Sequence, residues 1–127
     1  MAGYIANIEQ KSLENTTFRT VLYTDARLQL VVMSLLPKED IGMEVHTLDQ
    51  FIRIEEGTGV AILDGVEHSL SDGTAVIVPA GTTHNIINTS DTAPMKLYTL
   101  YAPPQHQDGT VHLTKADALK DEEDHVG

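Results

Sequence analysis

The stretch Gly73-Thr74-Ala75-Val76-Ile77-Val78-Pro79-Ala80-Gly81-Thr82-Thr83-His84-Asn85-Ile86-Ile87-Asn88 reads as strand, tight turn, strand. Thr74–Val78 is dominated by β-branched residues, which favour a pleated backbone. Pro79-Ala80-Gly81 is turn punctuation, and Gly73, Pro79 and Gly81 are shaping residues rather than chemical ones. On the second strand, alternation puts His84, Ile86 and Asn88 on one face. The turn therefore presents His84 at the head of an apolar strand. Asn88 is expected to satisfy backbone groups at the strand's end.

The same rhythm runs outward from this stretch. Short β-prone runs are predicted at Phe18–Thr24, Leu28–Leu36, Met43–His46, Gln50–Glu55, Gly59–Leu63, Val66–Leu70 and Met95–Tyr101, besides the two above. Asp64-Gly65 between two such runs predicts a two-residue hairpin, since both residues tolerate positive φ. Many short strands at regular spacing indicate an all-β sandwich or barrel. The chain length of 127 residues fits one domain, with a barrel core at about 18–103, an N-terminal arm at 1–17 and a C-terminal extension at 104–127. In that extension Thr114 resembles a helix N-cap, and Ala116–Glu123 is long enough for two turns. Several strands are apolar on both faces: Leu28, Leu30, Val32 and Leu36 oppose Val31, Met33 and Leu35. A barrel needs only its inner face dry, so a homodimer packed sheet to sheet is expected.

Composition narrows the chemistry. There is no cysteine, which removes thiolate metal sites and thiol nucleophiles and fits a reducing, cytoplasmic setting. The balance of 19 acidic to 8 basic residues gives a formal net charge of −11, which disfavours nucleic acid and anionic membranes as partners. The acidic run Asp121 to Asp124 reads as solvated charge. No apolar run spans a bilayer, and no basic segment followed by an apolar core opens the chain.

Among six histidines, His46 and His84 stand apart by context. Glu44 and His46 are two residues apart, so on a strand they share a face. Gln50 shares a face with Ile52 and Ile54, and an interior amide needs a partner such as a metal ion. Glu44, His46 and His84 would make two imidazoles and one carboxylate, with Gln50 as a neutral fourth donor. That set suits one divalent transition metal (Mn, Fe, Ni or Zn) per chain, with positions open to substrate. Spacing alone does not bring residue 46 beside residue 84.

Gly73 to Asn88 fits G-x5-P-x-G-x2-H-x3-N at every fixed position, and in this the chain resembles the cupin family. Lys38 to Gly57 resembles the first cupin motif, G-x5-H-x-H-x3-4-E-x6-G, in outline: His46 and Gly57 match, while Lys38, Glu44 and Gln50 replace its Gly, first His and Glu. The resemblance covers roughly residues 28 to 103. It implies a jelly-roll barrel with a metal near one mouth and, position by position, the ligands Glu44, His46, Gln50 and His84. One carboxylate is kept, at the other position, so the formal charge of the set is unchanged.

Other readings stay open at this point. His46 and His84 are either ligands or hydrogen-bonded interior histidines. Glu44 is a ligand, a rim residue, or a general base. Tyr101, with Thr99, is the better interior candidate on the last strand, and Glu44 and Tyr101 are the candidate proton carriers. Asp49 and Arg53 suggest an ion pair of little energy. His106 and His112 read as a solvated loop, with closure over the barrel mouth as the alternative, and His68 and His125 as exposed. A metal-dependent enzyme acting on a small sugar-like, keto or hydroxy acid compound and a non-catalytic binding or sensor module are the rival functions. Fold analogy alone does not separate them.

Overall fold

Alternation of burial along the strands shows why this chain closes into a barrel. In the computed structural model, which describes residues 3–125 and the side chains of residues 3–122, every long strand turns one face inward. The strands are β1 (Arg19–Thr24), β2 (Gln29–Leu35), β3 (Asp49–Glu56), β4 (Gly59–Leu63), β5 (Val66–Leu70), β6 (Ala75–Val78), β7 (His84–Asn88), β8 (Met95–Ala102) and β9 (Val111–His112). They form a six-stranded antiparallel sheet, order β6-β3-β8-β2-β1-β9, and a three-stranded sheet, order β5-β4-β7. Val31, Met33, Leu35, Ile52, Ile54, Ala61, Ile86, Met95 and Leu97 are sealed between them. Each larger side chain among these contributes about 1.5–3 kcal/mol of hydrophobic stabilisation.

Two glycine positions shape the site. Gly81 holds φ +86° as third residue of a turn closed by Thr82 N–H donating to Pro79 O at 3.1 Å, the geometry that favours glycine there. Gly59 is needed for close approach: a Cβ there would lie 2.1 Å from the Ile87 carbonyl oxygen and 2.5 Å from Met95 Cε. The Asp64-Gly65 hairpin is present, with φ of 47° and 83°.

Two short helices flank the barrel. α1 (Ile8–Glu14) falls in a segment expected to be an arm. Its signal was local: Asn7 is a favoured N-cap residue and caps the helix by accepting from the Gln10 N–H at 3.0 Å. α2 (Lys115–His125) follows Thr114, whose hydroxyl accepts from the Asp117 N–H at 3.1 Å as expected. β9 was not anticipated, because a two-residue strand carries no periodicity. Met43–His46 makes only an isolated bridge rather than a strand. The doubly apolar strands are covered only in part, since Leu28 and Ile77 stay exposed. Val32 is buried, Leu30 and Ile87 are half-buried, and Leu36 lies beyond the end of β2. No helix among the described residues is long and apolar enough to cross a membrane.

Candidate functional site

Backbone pairing supplies the convergence that spacing could not. Glu44 N–H donates to His84 O and His84 N–H to Glu44 O, both at 2.8 Å, while Gly81 N–H donates to His46 O at 2.8 Å. Asp40 and Asn85 reinforce this seam: Asn85 Nδ2 donates to Asp40 Oδ2, and Gly42 N–H donates to Asn85 Oδ1, each at 2.9 Å. Along the segment Met43, Val45 and Thr47 face outward while Glu44, His46 and Leu48 turn in. The Glu44–His46 pairing on one face is therefore as expected, and the His46 and His84 rings lie 5.1 Å apart, centroid to centroid.

Each donor has a defined state. His84 Nδ1 donates to Thr82 O at 2.9 Å, which orients the ring and leaves Nε2 as the nitrogen that could face an ion. Gln50 Nε2 donates to Thr99 Oγ1 at 3.0 Å, and its Oε1 is buried with no hydrogen-bond partner. Burial pushes the Glu44 carboxyl up to about 7, opposed by the Arg19 charge, raised further by Glu122 and lowered by Lys115. Burial, then the neighbouring His84 and Arg19, takes His46 down to about 4. Glu44 Oε2 and His46 Nε2 are 3.3 Å apart. With His46 neutral at physiological pH, this contact is not a salt bridge despite its geometry.

The four positions implied by the resemblance are thus inward-facing, but they do not form a finished cage. Among the described residues no three His, Asp or Glu side chains close around one point. Gln50, whose orphaned carbonyl oxygen is a hard donor, is a candidate outside that set. The chemistry of the donors fits a divalent ion: two imidazoles, an amide oxygen lacking a hydrogen-bond partner, and one carboxyl.

Tyr101 extends the site. It is buried, its ring edge-on to His46 at 6.1 Å and to His106 at 5.2 Å. Burial drives its hydroxyl up to about 12, with Arg19 opposing and Glu44 adding, so it stays protonated. His106 and His112 are not in a solvated loop. His112 is buried on β9, and His106 is held against Tyr101 because Gln29 fastens its backbone: Gln29 Nε2 donates to His106 O and Gln29 Oε1 accepts from the His106 N–H. Burial first, then Arg19, His112 and His46, takes His106 down to about 3, against Asp121. Asp121 does not behave as free solvated charge. Its Oδ2 meets His112 Nε2 at 2.8 Å, tying α2 to the barrel mouth.

Arg19 was missed by sequence reasoning, although strand parity places it with the buried Val21. Arg19 is 3% exposed. The expected Asp49–Arg53 pair is absent, because Asp49 instead accepts from the Ala80 N–H at 2.9 Å and Arg53 pairs with Glu55 at 3.5 Å. Asn88 does what was expected, donating to Leu36 O and Ala93 O and accepting from the Ser90 N–H. His68 is exposed as expected, and the His125 side chain lies outside the described residues.

Comparison with known proteins places the chain. The family model for the cupin domain matches residues 31–101. This chain is a cupin. It is 46% identical to the uncharacterized protein YrkC of Bacillus subtilis, over 94% of this chain and 68% of that protein. The crystal structure of BH2720 from Bacillus halodurans is 44% identical with a TM-score of 0.89, covering 92% of this cupin and 93% of that chain. KdgF from Halomonas sp., at 20% identity and TM-score 0.63 over 68% of this chain and 78% of that one, shares the fold. The jelly-roll expectation is met in a mostly β structure of two antiparallel sheets.

Proposed function

We propose that this cupin binds one divalent transition metal through His46, His84 and Gln50 with Glu44, and uses the site on a small polar metabolite. The observation that carries the reading is Gln50 Oε1, a buried acceptor without a hydrogen-bond partner on the same inward side as the His46 and His84 rings, which lie 5.1 Å apart. An unsatisfied buried carbonyl of this kind costs about 1–3 kcal/mol, which a cation would offset. A bound metal would supply Lewis-acid polarisation of a substrate oxygen. Glu44, with its carboxyl near 7, is suited to holding or releasing a proton at neutral pH. Tyr101 is suited to donating a hydrogen bond from its protonated hydroxyl.

A second reading is a ligand-binding cupin that performs no turnover and needs no metal. The absence of a three-residue cage among the described residues favours it. Elemental analysis separates the two. Protein stripped with chelator and then offered Mn, Fe(II), Ni or Zn should retain about one ion per chain, and His84→Ala should retain less than about a tenth. Retention below about a tenth by the parent protein for all four ions would remove the metal reading.

The fold also carries a homodimer proposal. Cross-strand neighbours Ile77, Phe51, Leu100, Leu30 and Tyr23 form an apolar row across the outside of the large sheet, and Ile77 is 60% exposed. A second copy of the chain would cover this row.

A further inference from the structure

We propose that Arg19 is the anchor for a carboxylate group of the ligand, in a cavity beside the candidate metal site. It rests on the barrel being a small-molecule pocket, and not on a metal being bound. A cavity of about 170 Å³ has Arg19, His106, Thr110, His112, Asp121 and Glu122 in its lining. The ring series His84, His46, Tyr101, His106 connects its wall to the four inward donors, with successive centroids 5.1, 6.1 and 5.2 Å apart.

Arg19 is buried, yet none of the ion pairs among the described residues includes it. A guanidinium cannot discard its charge, so burial without a carboxylate partner is costly. What holds it is neutral. Its Nη1 donates to His112 Nδ1 at 3.1 Å, and its guanidinium carbon lies 5.3 Å from the Phe18 ring centre. Because a guanidinium only donates, His112 Nδ1 must accept. His112 Nε2–H then donates to Asp121. Arg19 thus reaches Asp121 only through His112, and no carboxylate hydrogen-bonds it directly. The Nε–H remains buried without a partner, as does His106 Nε2 on the same cavity wall. A rigid guanidinium edge with a free donor matches one carboxylate.

Asp121 and Glu122 in the cavity lining argue against a dianion and for hydroxyl donors on the ligand. The class that fits is a small hydroxy carboxylate, its acid group on Arg19 and its hydroxyls toward the acidic wall.

The test uses chelator-treated full-length protein and follows the Arg19 Nε–H resonance by heteronuclear NMR. Glycolate and gluconate are the probes, with methyl glycolate and inorganic phosphate as controls. The expected result is a saturable shift of the Arg19 Nε–H signal with at least one of the two carboxylates. The ester should give none, and Arg19→Lys should weaken binding by about tenfold or more. An unmoved Nε–H signal at tens of millimolar of both carboxylates would overturn the proposal in the parent protein itself, even if the variant fails to fold. Tighter binding of phosphate than of either carboxylate would also overturn it. A loss of metal retention with carboxylate binding intact would count against the metal reading alone.

Discussion

Position 50 shows what a single side-chain change does to a site. The cupin pattern has Glu there and this chain has Gln, while Glu44 stands where the pattern has His. Gln50→Glu would put a second carboxylate into a buried pocket. Divalent-metal affinity should rise by about tenfold or more, measured by calorimetric titration, while the metal-free protein loses about 1–3 kcal/mol at neutral pH. Lys38 occupies the pattern's opening Gly position, and it holds φ +65°. Side chains with a Cβ adopt that conformation at a cost. Lys38→Gly should therefore raise stability by about 0.5–1 kcal/mol in chemical denaturation, the exposed Lys38–Asp91 pair at 3.3 Å being worth little. At this scale the sequence was informative wherever parity applied: Glu44, His46, Gln50, His84, Thr99 and Tyr101 all turn inward as alternation predicts. Arg19 obeys the same rule, but a charged residue on an apolar face invites the assumption that it points to solvent.

Elements tell a different story, because pairing partners decide them. The turn at Pro79–Thr82 and the Asp64-Gly65 hairpin were legible, since the backbone angles they need restrict residue choice locally. The seam between residues 40–46 and β7 was not legible from spacing, since Glu44 and His84 lie 40 positions apart and only the cupin resemblance joined them. Nor was β9, which exists because β1 offers it an edge. Gly59 is the residue on which the small sheet's approach to Met95 depends. Gly59→Ala should cost at least about 1–3 kcal/mol, read as a lowered melting temperature, because the obstruction is the Ile87 backbone oxygen and cannot swing aside. α2 is fastened by Lys115 to Asp40 and by Asp121 to His112. Asp121→Ala should speed amide exchange across α2 and lower global stability by about 1 kcal/mol or less, since Asp121 is 41% exposed.

For the whole molecule, buried titrating groups set the response to acid. His46 and His106 fall from 6.5 to about 4 and about 3, so the unfolded chain takes protons the folded one refuses, and stability is lost as pH falls below 6.5. Glu44 rises from 4.5 to about 7, so the folded state holds a proton the unfolded one has released, and its contribution declines as pH rises across that window. Between 4.5 and 6.5 the two histidines outweigh the one carboxyl by one proton, a slope of up to about 1.4 kcal/mol per pH unit, rising with pH. His106→Gln should flatten that slope relative to the parent protein. Light scattering should report about twice the chain mass of 13.9 kDa, and Ile77→Asp should return it to the monomer value. The outer apolar row and the barrel were foreseeable from patterning. The pairing of His112 with Asp121 was not, because the acidic run containing Asp121 resembles any solvated tail. The function turns most on whether His46, His84 and Gln50 hold one ion. Anomalous diffraction from a crystal of zinc-loaded protein answers that directly. The account predicts one peak per chain about 2.0–2.2 Å from a nitrogen of each histidine and from Gln50 Oε1. A fully loaded crystal whose peak lies elsewhere, or that shows none in the barrel, would contradict it.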